Sequence, residues 1–312
     1  MTITPERQAY MDSVRQKLAD GLYVELLESE GELINSAEFR QSAFAGYTPT
    51  KADIIVSTWP KSGTNWMMNI AQEIAWYGEA EFEHVNSAIP WPDATIKTDI
   101  AQLSDSHMSA NSPTGLRVIK SHLAAETVPV NDDAKYIVVI RNPKDALVSS
   151  FHFENGFIEK MVGDRVPLSG YVDGFLAKRF VYAGWADHTA SWWALKERPN
   201  VLVVFFEEMK ADLNGTIQQV ADLLDVTLTA EQFGKVAHKA SYATMKANNH
   251  KFSPPTPPDY AEQGHISMVR SGQSGEAQEA LTADQRQAID TFCQAELGRF
   301  KSTFPYSANY IK

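Results

Sequence analysis

The sequence predicts an α/β fold: a single domain over residues 1–312, with a mostly parallel central sheet flanked by helices and a P-loop-like turn after the first strand. Three observations predict it. Four short apolar runs rich in β-branched residues recur along the chain. Helix-like sequence, with apolar residues at helical spacing, separates them. The runs are continuously apolar rather than alternating, as expected of strands buried on both faces.

The first run is DIIVSTW at 53–59, and TNWMMNIAQEIAWYG at 64–78 follows it with helical periodicity. The others are LRVIKSH at 116–122, YIVVIR at 136–141 and NVLVVFFE at 200–207, the last followed by ADLNGTIQQVADLLD at 211–225. Residues up to about 35 are expected to be an N-terminal lead-in. SPPTPPDY at 253–260 can be neither helix nor central strand, because proline lacks the amide hydrogen and fixes φ; it should be a surface loop.

With 312 residues, 44% hydrophobic and 21% charged, the chain can bury a large core. No run approaches the roughly 18 apolar residues of a membrane span, and the polar N-terminus is no secretory signal, so a cytoplasmic protein without membrane association is expected. The single Cys293 cannot form an internal disulfide. A formal net charge of −11 argues against nucleic-acid binding, which rests on a basic face. Any anion site must therefore be a local cluster of cations.

In such folds ligands bind beyond the carboxyl ends of the strands. After the first run, Lys61, Ser62, Gly63, Thr64 and Asn65 offer free backbone amides, a positive helix end and a full charge to an anion. The nucleotide-triphosphate pattern Gly-x-x-x-x-Gly-Lys-Ser/Thr is absent: the lysine precedes the glycine, and Trp59 stands four positions before Gly63. Arg141 ends a buried strand and needs an anion or a carboxylate; Asp145, which shares a helix face with Ser149, is one candidate partner. Lys120 and His122 alternate onto one side of an extended segment. The nearby cation lowers the histidine's proton affinity and so suits it to act as a neutral general base. No histidine spacing suggests a metal. Arg270, Gly272 and Gly275 make a flexible basic loop ahead of a helix.

Taken together and in order, these segments resemble the cytosolic sulfotransferase family. TWPKSGTNW is similar to its 5′-phosphosulfate loop, KSHL to its Lys-Thr-His-Leu, and RNPKDALVS to its 3′-phosphate motif. FFEEMKADL, SYATMKANN and the final VRSGQSG complete a likeness running from about residue 35 to 300. The resemblance implies a donor, 3′-phosphoadenosine 5′-phosphosulfate (PAPS, with product PAP), no metal, and transfer of the sulfuryl group to a hydroxyl or amine. It implies that Lys61, Ser62, Gly63, Thr64 and Asn65 hold the phosphosulfate and that Trp66 stacks on adenine. Phe206, Ser241, Met245 and Met268 would surround the nucleoside. Arg141 and Ser149 would grip the 3′-phosphate, with Arg270, Ser271 and Gly272 closing over it from a loop-rich clamp at about 240–280. Lys61, Lys120 and His122 would be catalytic, His122 as the base.

Several positions depart from the family. Phe206 replaces a usual tyrosine, Met268 an aromatic, Ser271 a cation and Gln278 a lysine, so weaker donor binding is expected. The dimer signature survives only as Thr282, with Gln278, Ala283 and Gln287 at its other marked places, and it specifies no oligomeric state. The resemblance would line the acceptor pocket with Trp59, Trp91, Phe153 and His250, suiting a phenol, a steroid-like or aliphatic alcohol, or an amine; Phe157 and Met161 would belong to a lid. Two rivals stand beside this reading: a P-loop kinase or nucleotide hydrolase using Glu207 and Glu208, and a non-catalytic nucleotide-binding relative.

Overall fold

The computed structural model describes residues 3–95, 100–105, 107–254, 266, 268–270, 272 and 275–311. All four expected strands form: β1 (Asp53–Thr58), β2 (Arg117–Ser121), β3 (Lys135–Ile140) and β4 (Val201–Phe205). They make one parallel sheet in the order β2-β1-β3-β4. From β1 the chain crosses first to one side, to β2, and then to the other, to β3. The carboxyl ends of β1 and β3 therefore flank the switch point where α/β folds place their ligands.

Successive side chains of a strand point to opposite faces, and here both faces are dry. Ile55, Ile119, Tyr136, Val138 and Ile140 pack on one side under the helices Tyr23–Asn35, Pro143–Val162, Leu168–Leu176, Trp185–Trp193 and Ala283–Arg299. Ile54, Val56, Val118, Ile137 and Val139 pack on the other, under Thr64–Ala75, Leu213–Leu223 and Ala230–Ala240. This is why the runs are continuously apolar. At the end of the sheet away from the switch point, buried Asp53 accepts from Arg117 Nε at 2.8 Å and from the Tyr47 hydroxyl at 2.6 Å, tying the starts of β1 and β2 together.

Two differences from the sequence reading bear on the site. Strands end at Thr58, Ser121, Ile140 and Phe205, so Trp59, His122, Arg141 and Glu207 lie beyond the strands rather than in them. The lead-in is also part of the body: the helix Tyr23–Asn35 buries Leu26 and Leu27 in the core. Its packing on Leu168–Leu176 depends on Gly170, where a Cβ would meet the Tyr23 ring at 2.6 Å. Among the described residues no helix is long and apolar enough to cross a membrane.

Candidate active site

The turn after β1 is built on two left-handed residues. Lys61 has φ +65° and Gly63 φ +99°. A Cβ at Gly63 would come 2.8 Å from Phe206 Cδ2, so glycine is needed both for the dihedral and for the close approach. The helix Thr64–Ala75 follows at once, with its first amides turned to the loop. Thr64 Oγ1 hydrogen-bonds Thr58 Oγ1 at 2.5 Å. Ser62 is fully buried, and its Oγ has no hydrogen-bond partner among the described residues. Ser62 itself is absent from the cavity wall, and what the turn presents to an anion is the positive start of the helix at Thr64.

Around this turn the structure gathers cations. A cavity of about 770 Å³ is lined by Lys61, Gly63, Thr64, Asn65, Trp66, Lys120, His122, Arg141 and Ser149, together with Phe206, Ser241, Met245, Met268, Arg270 and Gly272. Lys61 Nζ lies 3.9 Å from the centroid of the Phe153 ring, and burial pulls its pKa down to about 7 against the pull of Glu154. Arg141 Nη1 donates to the Lys61 carbonyl at 2.8 Å, and its guanidinium lies 4.3 Å from the centroid of the Phe206 ring. Asp145, the expected partner for Arg141, accepts the amides of Gly275 and Ala277 at 2.7 and 2.9 Å, which fixes the start of the helix Glu276–Ala280. Arg270 pairs with Glu276. Ser271 lies outside the described residues.

The aromatic side of the cavity is equally ordered. Trp66 donates from Nε1 to the Ala240 carbonyl at 2.8 Å and meets Phe206 edge-on at 5.8 Å. Asn65 Nδ2 reaches the Phe252 carbonyl at 3.1 Å, and Asn249 Oδ1 accepts the amides of Met268 and Val269 at 3.0 and 2.9 Å. These contacts hold residues 240–254 and 268–269 against the helix that follows the turn.

Lys120 and His122 emerge at the end of β2. Lys120 Nζ lies over the Trp91 ring at 3.2 Å, and burial pushes its pKa down although Asp93 opposes the shift. His122 Nδ1 sits 2.9 Å from the Thr58 carbonyl. A carbonyl can only accept, so Nδ1 carries the hydrogen and Nε2 keeps its lone pair. Burial and then the charge of Lys120 hold His122 well below the ordinary histidine range, in its neutral form. The backbone amide of His122 donates to Asp93 Oδ2 at 2.8 Å. Asp93 and its role were not foreseen; a carboxylate near a lysine and a histidine 27 and 29 positions away in sequence carries no local signature.

Two expected acceptor-pocket residues lie elsewhere. Trp59 is only 2% exposed and is absent from the cavity wall. Its Nε1 donates to the Ala183 carbonyl at 2.7 Å, and its indole packs among Phe175, Phe180 and Tyr182, because that partner lets a large amphipathic ring be buried at no hydrogen-bond cost. His250 is exposed on the turn Asn249–Phe252, beside Glu81, Phe82 and Glu83. Phe252, two residues on and so on the opposite side of the turn, takes the inward place. Trp91 and Phe153 do line the cavity. Phe157 and Met161 line it too, from the 20-residue helix Pro143–Val162 rather than from a separate lid. Part of the remaining wall was invisible in the sequence: Arg7, Tyr10, Leu27, Glu30 and Ile34 from the lead-in, with Glu154, Ile158, Val181 and Tyr182.

Residues 51–301 match the family described as the sulfotransferase domain. Mouse sulfotransferase 2A6 is 30% identical over 258 residues, 81% of this chain and 87% of that protein. Human sulfotransferase 1C2 is 25% identical over 280 residues, 86% of this chain and 92% of its own. Among solved structures, mouse sulfotransferase SULT7A1 complexed with PAP is similar with a TM-score of 0.61 at 23% identity, covering 84% of this chain and 89% of that one. Retinol dehydratase in complex with androsterone and inactive cofactor PAP gives 0.66 at 20%, covering 86% and 87%. The structural likeness speaks for the fold and the match over residues 51–301 for descent: the chain belongs to the sulfotransferase family.

Proposed function

We propose that this sulfotransferase moves the sulfuryl group of PAPS to a hydroxyl, or an amine, of a small apolar or aromatic acceptor, with His122 as general base. The observation that carries the reading is the fixed tautomer of His122, whose Nδ1 is committed to Thr58 and whose Nε2 is free to take a proton in the same cavity as Lys61 and Lys120. The chain's residues fit a phosphosulfate: the helix start at Thr64, and two lysines whose charge burial disfavours until an anion arrives.

PAPS supplies the sulfuryl group. Lys61, Ser62 and the amides of Gly63, Thr64 and Asn65 hold the phosphosulfate; Arg141 and Ser149 hold the 3′-phosphate; Trp66, Phe206, Ser241, Met245 and Met268 hold the nucleoside. Arg270 and Gly272, in the clamp at about 240–280, close over it. His122 Nε2 takes the acceptor's proton as its oxygen forms the new bond to sulfur. Lys61 neutralises the charge growing on the bridging oxygen as the old bond breaks, and Lys120 steadies the sulfuryl oxygens. Sulfuryl transfer, like phosphoryl transfer, passes through a loose transition state, so positioning and charge neutralisation supply most of the catalysis. The acceptor lies against Trp91, Phe153, Phe157 and Met161, which suits a phenol or an apolar alcohol, and the setting is cytoplasmic.

The test is transfer from sulfur-labelled PAPS to a panel of phenols and aliphatic alcohols in the presence of a metal chelator. Label on an acceptor is the expected result. Donor binding without transfer to any member would favour a non-catalytic relative, and turnover that needs magnesium and a nucleoside triphosphate would favour a kinase.

A further inference from the structure

One helix fastens all three strand ends that carry the chemistry. In Trp185–Trp193, residues 185, 188 and 192 recur at i, i+3 and i+7 and so share a face, and each is 2% exposed or less. Trp185 Nε1 donates to the Arg141 carbonyl at 3.0 Å, one residue past the end of β3. Trp192 Nε1 donates to the Leu123 carbonyl at 3.1 Å, two residues past the end of β2. The Ser57 hydroxyl, in β1, donates to the same Leu123 carbonyl at 3.0 Å, which uses its one hydrogen, so it accepts from His188 Nε2 at 3.0 Å. Arg141 and Leu123 lie past the last ladder pairs, Ile140 with Phe205 and Ser57 with Ser121, and the helix supplies the donors that their buried carbonyls need. His122 precedes Leu123, and its Nδ1 is committed to the carbonyl of Thr58, which follows Ser57. The base is thus bracketed by two residues that the helix holds. The helix is itself seated: the Trp185 ring meets Phe304, Tyr306 and Tyr310 at centroid distances of 5.8, 5.7 and 6.2 Å. Lys144, three residues after Arg141, pairs with Asp290 and donates to the Tyr310 carbonyl at 3.1 Å, while the Tyr306 hydroxyl donates to Asp290 at 2.7 Å.

We propose that Trp185 and Trp192 are positioning residues, each for one half of the reaction: Trp185 sets Arg141 for the donor's 3′-phosphate, and Trp192, with Ser57 and His188, sets His122 for the acceptor's proton. The inference rests on the sulfotransferase reading above and deepens it. Neither indole lines the cavity, so each acts through the residue it holds. The two hydrogen bonds leave one helix seven residues apart, about 10 Å along its axis, and that rigid span sets the distance between the 3′-phosphate site and the base.

PAP and adenosine 5′-monophosphate (AMP) differ only in the 3′-phosphate, so the ratio of their affinities reads the Arg141 contact apart from everything the two nucleotides share. That ratio is measured by calorimetry, and the acceptor step by single-turnover transfer from saturating PAPS to a saturating phenol. Both are compared between the wild type and proteins carrying 3-benzothienylalanine at position 185 or 192, a replacement that keeps the fused ring and removes only the N–H. At 185 the PAP-to-AMP ratio is expected to fall about fivefold or more, the worth of one buried hydrogen bond, and the transfer rate to fall less than about threefold. At 192 the rate is expected to fall about tenfold or more and the ratio to change less than about threefold, because a base displaced by a fraction of an ångström is a poor one. Ser57→Ala should follow position 192, and His188→Gln, which retains a donor, should lose less rate than His188→Ala. Replacements that move both readouts alike, that move neither, or that lower the melting temperature alone overturn the proposal. Transfer by the wild type without this split sinks the inference and leaves the proposed function standing. A wild type that binds PAP and sulfates no phenol overturns the proposed function and the Trp192 half with it, while the PAP-to-AMP ratio still decides the Trp185 half.

Discussion

Arg141 Nη1 donates to the carbonyl oxygen of Lys61 at 2.8 Å, joining the end of β3 to the turn after β1 across the switch point of the sheet. The same guanidinium lies on the Phe206 ring at the end of β4, so one side chain braces three strand ends. Arg141→Ala removes a charge-assisted hydrogen bond as well as the charge for the 3′-phosphate. At about 1.5–3 kcal/mol for such a bond, PAP affinity should fall roughly 10- to 100-fold. Arg141→Lys should recover only part of it, because an ammonium neither forks nor stacks. Calorimetry showing unchanged PAP affinity in Arg141→Ala would remove this residue from the site.

Gly63→Ala should cost stability as well as activity. The residue has φ +99°, and the new Cβ would meet Phe206 Cδ2 at 2.8 Å. Left-handed strain alone is of order 1–3 kcal/mol, which lowers the melting temperature by a few degrees in a chain of this size. Phe206→Leu in the same background should relieve the contact and leave the strain, recovering part of the loss. A Gly63→Ala protein that melts with the wild type contradicts the geometry of the turn.

Donor binding should weaken as pH rises. Lys61 stands at about 7 in the donor-free protein and Lys120 is also pushed down, in both cases chiefly by burial. A bound anion favours the charged form and raises both. The sign follows: binding is at full strength below about pH 7, where both lysines are already charged, and falls above it, by up to about tenfold per pH unit for each lysine that must take up a proton. Calorimetry in buffers of different ionisation enthalpy should register proton uptake on PAPS binding at pH 8. Proton release, or affinity that is flat from pH 6 to 9, contradicts the assignment.

Asp93 should govern the charge of Lys120. It accepts the His122 amide at 2.8 Å, and its charge opposes the effect of burial on Lys120. Asp93→Asn retains an acceptor for the amide but loses the charge. Lys120 should then lose its proton at lower pH, moving the alkaline limb of kcat/KM down by about one unit. A limb that stays in place while activity falls would make Asp93 a purely structural anchor.

The parts of the site legible in the sequence are those written locally. Four apolar runs specify four buried strands, and the residues at or just beyond their ends, Lys61, Lys120, His122 and Arg141, converge because parallel strands end on one side of a sheet. The rest depends on contacts between distant segments. The indole of Trp59 is turned away from the cavity by a carbonyl 124 positions further on. Which side of the Asn249–Phe252 turn faces inward is decided by packing, so the cavity received Phe252 and not His250. The lead-in reads as a peripheral polar segment, yet it supplies Leu27, Glu30 and Ile34 to the wall. Glu154 looks in sequence like any polar residue of an amphipathic helix, and only the Tyr182 contact and the shared cavity with Lys61 set it apart.

Single-turnover sulfuryl transfer by His122→Ala, with PAPS and a phenol both saturating, tests the assigned chemistry most directly. General-base catalysis by a positioned histidine contributes roughly 10²- to 10⁴-fold, so transfer should slow by about that factor while PAP affinity stays within about twofold of the wild type. A transfer rate equal to the wild type, or a loss of PAP affinity as large as the loss of rate, would contradict the placing of the base at Nε2 of His122.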